Sequence, residues 1–274
     1  MSEPRIFLGV PGPDLIYGAM RGLMMCSEKH LVNRQASPSP HSGNLDTLWC
    51  DAFNQFEAGE CTHFAMQHAD VTPTPLWLDI LVEEMEKYDL GMISVPVAIK
   101  DHRGLFSCGI GDPGWNWNPL RRVTVKEITS GRLPSTFTAA DYGYPGFTLL
   151  HNNACWLVDF RKPEWATMVD TPEGPEWKFC HKFPRRNVRD PESGKMVPQG
   201  ESEDWYFSRM VHEAGIKSAI TTRVFITHRG TTEFPNNAVW NMDNQEHDEV
   251  LRSRWERHGP GLNGQAKEGV TCGS

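Results

Sequence analysis

Three short segments carry side chains whose types and spacing could do chemistry. The first is Gln67-His68-Ala69-Asp70, at the end of an unbroken run from Thr62 that stops at Thr-Pro-Thr-Pro. In an extended chain residues two apart share one face, about 6–7 Å from each other. His68 and Asp70 can then address one cation or a ribose diphosphate at the carboxyl edge of a sheet. The plainer alternative makes His68 a satisfied sheet residue and Asp70 the cap of the following turn. The second segment, Glu201-Ser-Glu-Asp-Trp-Tyr-Phe207, opens a helix whose apolar face is Phe207, Met210, Val211 and Ala214. Acidic residues in a first turn suit the helix dipole, which alone accounts for Glu203 and Asp204. The same position aims the Asp204 carboxylate, followed by aromatic Trp205, into a cleft where it could take a proton from an attacking hydroxyl. The dipole lowers such a carboxyl's pKa, and a neighbouring anionic ligand raises it. The third is Ile226-Thr-His228-Arg-Gly230, a histidine just past the last strand.

These residues need a scaffold, and the first hundred residues supply one. A short β-rich run at 5–10 ends in Pro-Gly-Pro, and residues 15–25 form a helix. Leu45, Leu48, Trp49, Ala52, Phe53 and Phe56 recur at helical spacing up to Gly59. The 62–71 strand follows. Leu76, Trp77, Ile80, Leu81, Met85 and Tyr88 then fall on one face of a helix whose other face is Asp79, Glu83, Glu84, Glu86 and Lys87. Residues 92–99 make another strand, so the alternation argues for an α/β fold with a mainly parallel sheet. After Lys100 the pattern loosens. Residues 104–119 and 128–146 are rich in glycine and other turn formers and read as loops; 147–150 and 154–158 read as short strands. Residues 185–200 read as a charged loop, 204–214 as a helix stopped by Gly215, and 219–227 as a last strand. A basic helix is expected at 247–257 and a flexible tail at 259–274.

Composition narrows the classes. The chain has 274 residues, 27 Lys plus Arg against 35 Asp plus Glu, and a formal net charge of −8. Its surface as a whole is not built for polyanions, so nucleic acid would have to meet a local basic patch. Seven cysteines with no C-x-x-C pair suit reduced thiols and a cytoplasmic setting. No apolar run approaches the roughly 18 residues of a membrane span, there is no internal repeat, and no Gly-rich phosphate loop follows the first strand.

Taken in order, the strand ending in Val10-Pro11, Met66-Gln-His-Ala-Asp-Val71 with Pro75-Leu-Trp-Leu-Asp79, Ser94-Val-Pro-Val-Ala-Ile-Lys-Asp101, Gly104-Leu-Phe-Ser107, the Glu-Asp-aromatic helix start and the late His-x-Gly resemble the GT-A nucleotide-sugar glycosyltransferases. The resemblance covers about residues 5–230 and is nearest to small phage enzymes that glycosylate hydroxymethylated pyrimidines in DNA. It implies a Rossmann-like three-layer sandwich, one domain over 1–258 with a nucleotide-sugar half at about 1–101 and an acceptor half at about 102–258. It also implies metal-dependent transfer of a hexose from a donor such as a UDP-sugar. Asp70 matches the second acid of the family's Asp-x-Asp motif. His68 replaces the first acid, a departure that puts metal use in doubt. His228 matches a later histidine ligand, so the implied metal set is Asp70, His228 and His68. With imidazole among the donors, Mn²⁺ fits better than Mg²⁺. Asp204 matches the base of inverting members, while Val10, Pro11 and Asp51 lie where the nucleotide is held.

For the acceptor, Trp115 and Trp117 in a Gly-rich loop and Trp205 suit stacking on a sugar or a base, although loop tryptophans also pack over cores. Arg121-Arg122, then Lys182, Arg185, Arg186 and Arg189, then Arg252, Arg254, Arg257 and His258 form three basic clusters. Solvated faces explain such runs in most proteins; if the three meet on one side they make a phosphate track for DNA. Two other readings stay open: a glycosyltransferase for a polysaccharide, protein or small molecule, and a nucleotide-sugar or carbohydrate-binding module without turnover.

Overall fold

A computed structural model describes residues 3–12, 15–37, 42–101, 103–111, 119–189, 194–230 and 233–236. Trp115, Trp117, the 247–257 helix with its basic residues and the 259–274 tail lie outside the described residues.

The amino-terminal part runs β1 (Arg5–Pro11), α1 (Tyr17–Met24), β2 (Leu31–Ser37), α2 (Ser42–Glu57), β3 (His63–Gln67), β4 (Val71–Pro73), α3 (Trp77–Tyr88) and β5 (Met92–Ser94). There follow β6 (Leu105–Gly111), β7 (Arg121–Thr124), α4 (Val125–Thr129), β8 (Thr136–Phe137), β9 (Thr148–Leu150) and β10 (Cys155–Asp159). The remainder is β11 (Met168–Thr171), β12 (Gly174–Trp177), β13 (Arg185–Arg189), β14 (Met196–Gly200), α5 (Glu203–Glu213), β15 (Ser218–Thr221), β16 (Ile226–Arg229) and β17 (Glu233–Pro235).

The central seven-stranded sheet has the order β2-β1-β3-β10-β5-β15-β8. The fold is α/β as expected, but the sheet is mixed, not mainly parallel. β1 runs parallel to β2 and β3, and β15 parallel to β5, whereas β10 is antiparallel to both β3 and β5, and β8 is antiparallel to β15. The local alternation at 5–99 is real; the sequence-distant β10 inserts between two strands that alternation alone would have made neighbours.

Side-chain alternation along the strands builds two cores, one on each face of this sheet. Ile6, Leu8 and Val10 of β1, Ala65 of β3 and Leu157 of β10 pack with Leu78, Leu81, Val82 and Met85 of α3. Phe7, Phe64, Met66, Trp156 and Val158 face the other way, against Leu48, Trp49 and Ala52 of α2 and Phe207, Met210 and Val211 of α5. Helices therefore cover both faces, giving three layers. Trp49 is fully buried and lies 5.1 Å, ring to ring, from Trp177 and 5.2 Å from Phe207. Cutting such a residue to alanine costs about 3–5 kcal/mol.

A third core around Phe106, Ile110, Val123 and Phe137 sits under the three-stranded sheet β7-β6-β9. Here the sequence reading needs correction, because residues 105–111 form a strand with a register shift before Gly109 and not a loop. Residues 185–200 likewise fold back as the β13–β14 hairpin. Edge strand β2 escapes the sequence pattern: most of its side chains are exposed or half-buried, so it lacks an apolar alternation to read. The charged face of α3 also departs from expectation. Asp79 and Glu84 are buried, Asp79 accepting from Ser27 Oγ and the Glu28 amide and Glu84 from Thr136 Oγ1 and Arg223. No helix among the described residues is long and apolar enough to cross a membrane, and the six described cysteines are free thiols.

Candidate active site

The carboxyl ends of β1, β3 and β5 form one rim. β1 ends at Val10 and Pro11, both buried, and the Pro11 carbonyl accepts from the Ala69 amide at 3.3 Å. Gly12 next to it has φ +124°, and a Cβ there would stand 2.9 Å from that of Ala69. A glycine is required both for the backbone angle and for this close approach. Val10–Pro11 and the 68–70 segment thus touch. Asp51 stands on α2 and accepts from Gln35 Nε2 at 2.6 Å, tying that helix to edge strand β2.

The expectation that His68 and Asp70 share a face of one extended strand is not met. β3 stops at Gln67, and the Val71 amide donates to the His68 carbonyl at 3.1 Å, closing a turn. Beyond the turn Asp70 gains charged hydrogen-bond partners and His68 does not, although Asp70, His228 and Lys100 lie near enough to act on the charge of His68. His68 Nε2 is buried without a hydrogen-bond partner, and burial pulls its pKa down to about 4. Asp70 is met instead by Lys100, whose Nζ donates to Oδ2, and by His228, whose Nε2 lies 3.5 Å from the same oxygen. Burial alone would raise the Asp70 carboxyl, but the hydrogen bonds from His228 and Lys100 outweigh it and hold it well below the usual carboxylate range.

β16 pairs antiparallel with β4, placing His228 opposite Val71, and the Arg229 amide donates to the Asp70 carbonyl at 2.9 Å. The ring of His228 is oriented by its Nδ1, 2.7 Å from the Ala98 carbonyl. A carbonyl only accepts, so Nδ1 carries the hydrogen and Nε2 is the atom turned toward Asp70. Backbone carbonyls hold metal-binding histidines in this manner. Asp70 and His228 are therefore brought together by the pairing of two strands far apart in sequence, while His68 Nε2 makes no hydrogen bond to either. Among the described residues no three His, Cys, Asp or Glu side chains group as ligands for one ion. Two protein donors still suit a cation whose other ligands are diphosphate oxygens and water.

The second carboxylate sits at the start of α5. Asp204 Oδ1 accepts from Ser202 Oγ and, at 2.9 Å, from the Trp205 amide. Burial pushes its carboxyl up to about 7, with Glu203 adding to the rise and the Ser202 hydroxyl, the Trp205 amide and Arg122 opposing it. The main cause is thus desolvation, not a neighbouring ligand as the sequence suggested. The helix start is anchored to the same rim. The Asp204 carbonyl accepts from Ser208 Oγ at 2.7 Å, that oxygen accepts from the His151 amide at 2.9 Å, and His151 Nδ1 lies 2.8 Å from Ser94 Oγ at the end of β5.

Trp205 is buried: its Nε1 donates to the Ser107 carbonyl at 3.3 Å, and the Arg122 guanidinium lies 4.5 Å over its ring. This occupies a ring face that stacking on an acceptor would need. Arg121 is likewise engaged, with Glu127, so the Arg121-Arg122 cluster is not a free basic face. Arg185 and Arg186 are exposed on β13, Arg185 lying 4.6 Å over the Phe183 ring and Arg186 bonding Gln199 Oε1 at 3.0 Å.

Residues that sequence reasoning missed are Lys100, Arg122 as a neighbour of Asp204, and His151 and His181. His151, His181 and Asn153 each keep a buried polar atom without a partner. A lysine directly after the apolar run that contains β5 was the one readable signal.

No family model matches the chain, and no curated protein matches it. Among solved structures, the crystal structure of A197 from STIV is similar at 12% identity, over 82% of this chain and 86% of that chain, with a TM-score of 0.45.

Proposed function

We propose that this protein is a glycosyltransferase of GT-A type that moves a hexose from a nucleotide sugar to a hydroxyl acceptor. The observation that carries the reading is the presence, in segments anchored to the carboxyl edge of one sheet, of two carboxylates in opposite surroundings. Asp70 is held ionised beside His228, and Asp204 is poised near neutrality at a helix start. Environments that drive two acids apart mark a division of labour in acid–base sites.

In this reading the nucleotide lies beyond the carboxyl end of β1, whose Val10 and Pro11 are buried in the fold and so shape the rim without offering a side-chain face, and Asp70 and His228 would hold Mn²⁺ or Mg²⁺ near the donor diphosphate. When bound, that ion supplies Lewis-acid stabilisation of the departing diphosphate. Asp204, with a pKa near 7, accepts the proton of the acceptor hydroxyl as it attacks the anomeric carbon. Attack from the face opposite the diphosphate inverts configuration. Arg122 lies near enough to favour the ionised form of Asp204, and Ser202 and the Trp205 amide fix its orientation. For the acceptor, the exposed arginines of β13 support a polyanion, of which DNA carrying hydroxymethylated pyrimidines is our choice.

The test is release of nucleoside diphosphate from a panel of nucleotide sugars with Mn²⁺, with and without hydroxymethylated DNA, followed by mass spectrometry of the digested nucleosides. A hexose added to one nucleoside is the expected result. Donor hydrolysis without modified DNA would keep the transferase and discard this acceptor. Donor binding without turnover, unaltered by Asp204→Ala, would make the protein a binding module.

A further inference from the structure

Asp70 Oδ2 and His228 Nε2 face each other at 3.5 Å while His228 Nδ1 gives its hydrogen to Ala98. Lys100 supplies a positive charge at this point, its ammonium donating to the same Oδ2. The lysine is held there by its surroundings. Its neighbour Asp101 is already taken by Arg103, whose Nε donates to it at 2.8 Å, so the nearest carboxylate in sequence does not draw Lys100 away. Its aliphatic stem passes Gly230 at the end of β16, where a Cβ would stand 3.2 Å from Lys100 Cδ and 3.3 Å from Lys100 Cβ. The Lys100 side chain is 36% exposed, which leaves its ammonium accessible from solvent. A lysine ammonium is a compact charge on a flexible stem, suited to move between two anions a few ångströms apart.

We propose that Lys100 is a tethered cation of the donor site, seated on Asp70 when no divalent ion is present and donating to the donor's diphosphate oxygens when one is. The inference rests on the reading of Asp70 and His228 as the diphosphate end of the site. It makes Lys100 both a competitor of the metal and a ligand of the donor, roles of opposite sign that a purely structural lysine would not have.

The experiment is titration of the whole chain with Mn²⁺ alone, followed by the electron paramagnetic resonance signal of free Mn²⁺, and then with UDP at saturating Mn²⁺ by calorimetry. For Lys100→Met, Mn²⁺ binding is expected to tighten by about fivefold, the upper range for a half-exposed ion pair. UDP binding is expected to weaken by about tenfold or more, the scale of a charge-assisted hydrogen bond. Lys100→Arg, which keeps the charge, should fall between wild type and Met in both. Gly230→Val, which keeps the lysine and fills the groove its stem uses, should tighten Mn²⁺ binding as Lys100→Met does. Unchanged or weaker Mn²⁺ binding by Lys100→Met, in a variant with wild-type circular dichroism, would overturn the proposal. Asp70→Asn separates this from the underlying reading: if it binds Mn²⁺ and UDP as wild type does, the Asp70 site itself fails. If it loses both while Lys100→Met gains nothing, only the role of Lys100 fails.

Discussion

The turn at Asp70 and the first turn of α5 at Asp204 present the same functional group at the same rim of the sheet, and the structure treats them in opposite ways. Asp70 has a lysine and a histidine on one oxygen, so its charge is fixed. Asp204 has a hydroxyl and an amide, both neutral donors, in a buried setting that disfavours charge. Partner charge sets the first, desolvation the second. A carboxylate that must hold a cation needs to be ionised at all working pH values, and one that must take a proton needs a pKa near the working pH.

The largest expected effect breaks the Asp204 side. Asp204→Asn should reduce transfer by about 10²-fold or more while leaving UDP affinity unchanged; near-wild-type turnover in a steady-state assay would remove it as the base. In wild type the rate should rise with pH and level off above about 7, the value set by burial of Asp204, and a flat profile across that value would contradict the role. Next comes the Asp70 side. Asp70→Asn should weaken UDP binding in Mn²⁺ by about tenfold or more, measured by calorimetry, with little effect when Mn²⁺ is omitted.

The two acids should also pull stability in opposite directions with pH. Asp204 has a raised folded pKa, so its contribution is complete below its ordinary range near pH 3.8 and is lost as pH rises through about 7. Asp204→Asn should therefore be more stable than wild type at about pH 8 and should lose that advantage by about pH 4 in urea melts. Asp70 has a lowered folded pKa, so its contribution is present above its ordinary range and lost as pH falls. Asp70→Asn should be the less stable protein at neutral pH, and the difference should shrink in acid. The smallest effect lies outside the comparison: reversing Arg185, Arg186 and Arg189 to Glu should lower DNA affinity at low salt and reduce the salt slope by about one for each phosphate no longer neutralised. Equal retention on a DNA column would move the acceptor to another surface.

Helices α2, α3 and α5 were legible because each carries an apolar stripe at helical spacing, and α1 because small and apolar residues follow a Pro-Gly-Pro turn; the Trp49 and Phe207 faces could be named before their partners were known. Asp204 was legible because acidic residues before an aromatic run mark a helix start. Local pattern sufficed in these cases because the forces involved act over one or two turns. The position of β10 was not legible, since pairing between residues 63–67 and 155–159 leaves no local trace. The turn at 68–71 was hidden for a related reason: a run without Gly or Pro reads as extended, and it is the hydrogen bond from Val71 to His68 that bends it. Asp79 and Glu84 looked solvent-facing because their partners, Ser27, Thr136 and Arg223, come from distant segments.

The sequence by itself determined the α/β class, the helical faces and the residue types available for chemistry, since these follow from periodicity and side-chain identity. Only the tertiary structure decided that Lys100 joins His228 at Asp70, that His68 Nε2 is left without a hydrogen bond, and that Asp204 is raised toward neutrality. Those outcomes depend on which distant groups come within a few ångströms, and on how much water is displaced there, quantities set by the packing of the whole chain.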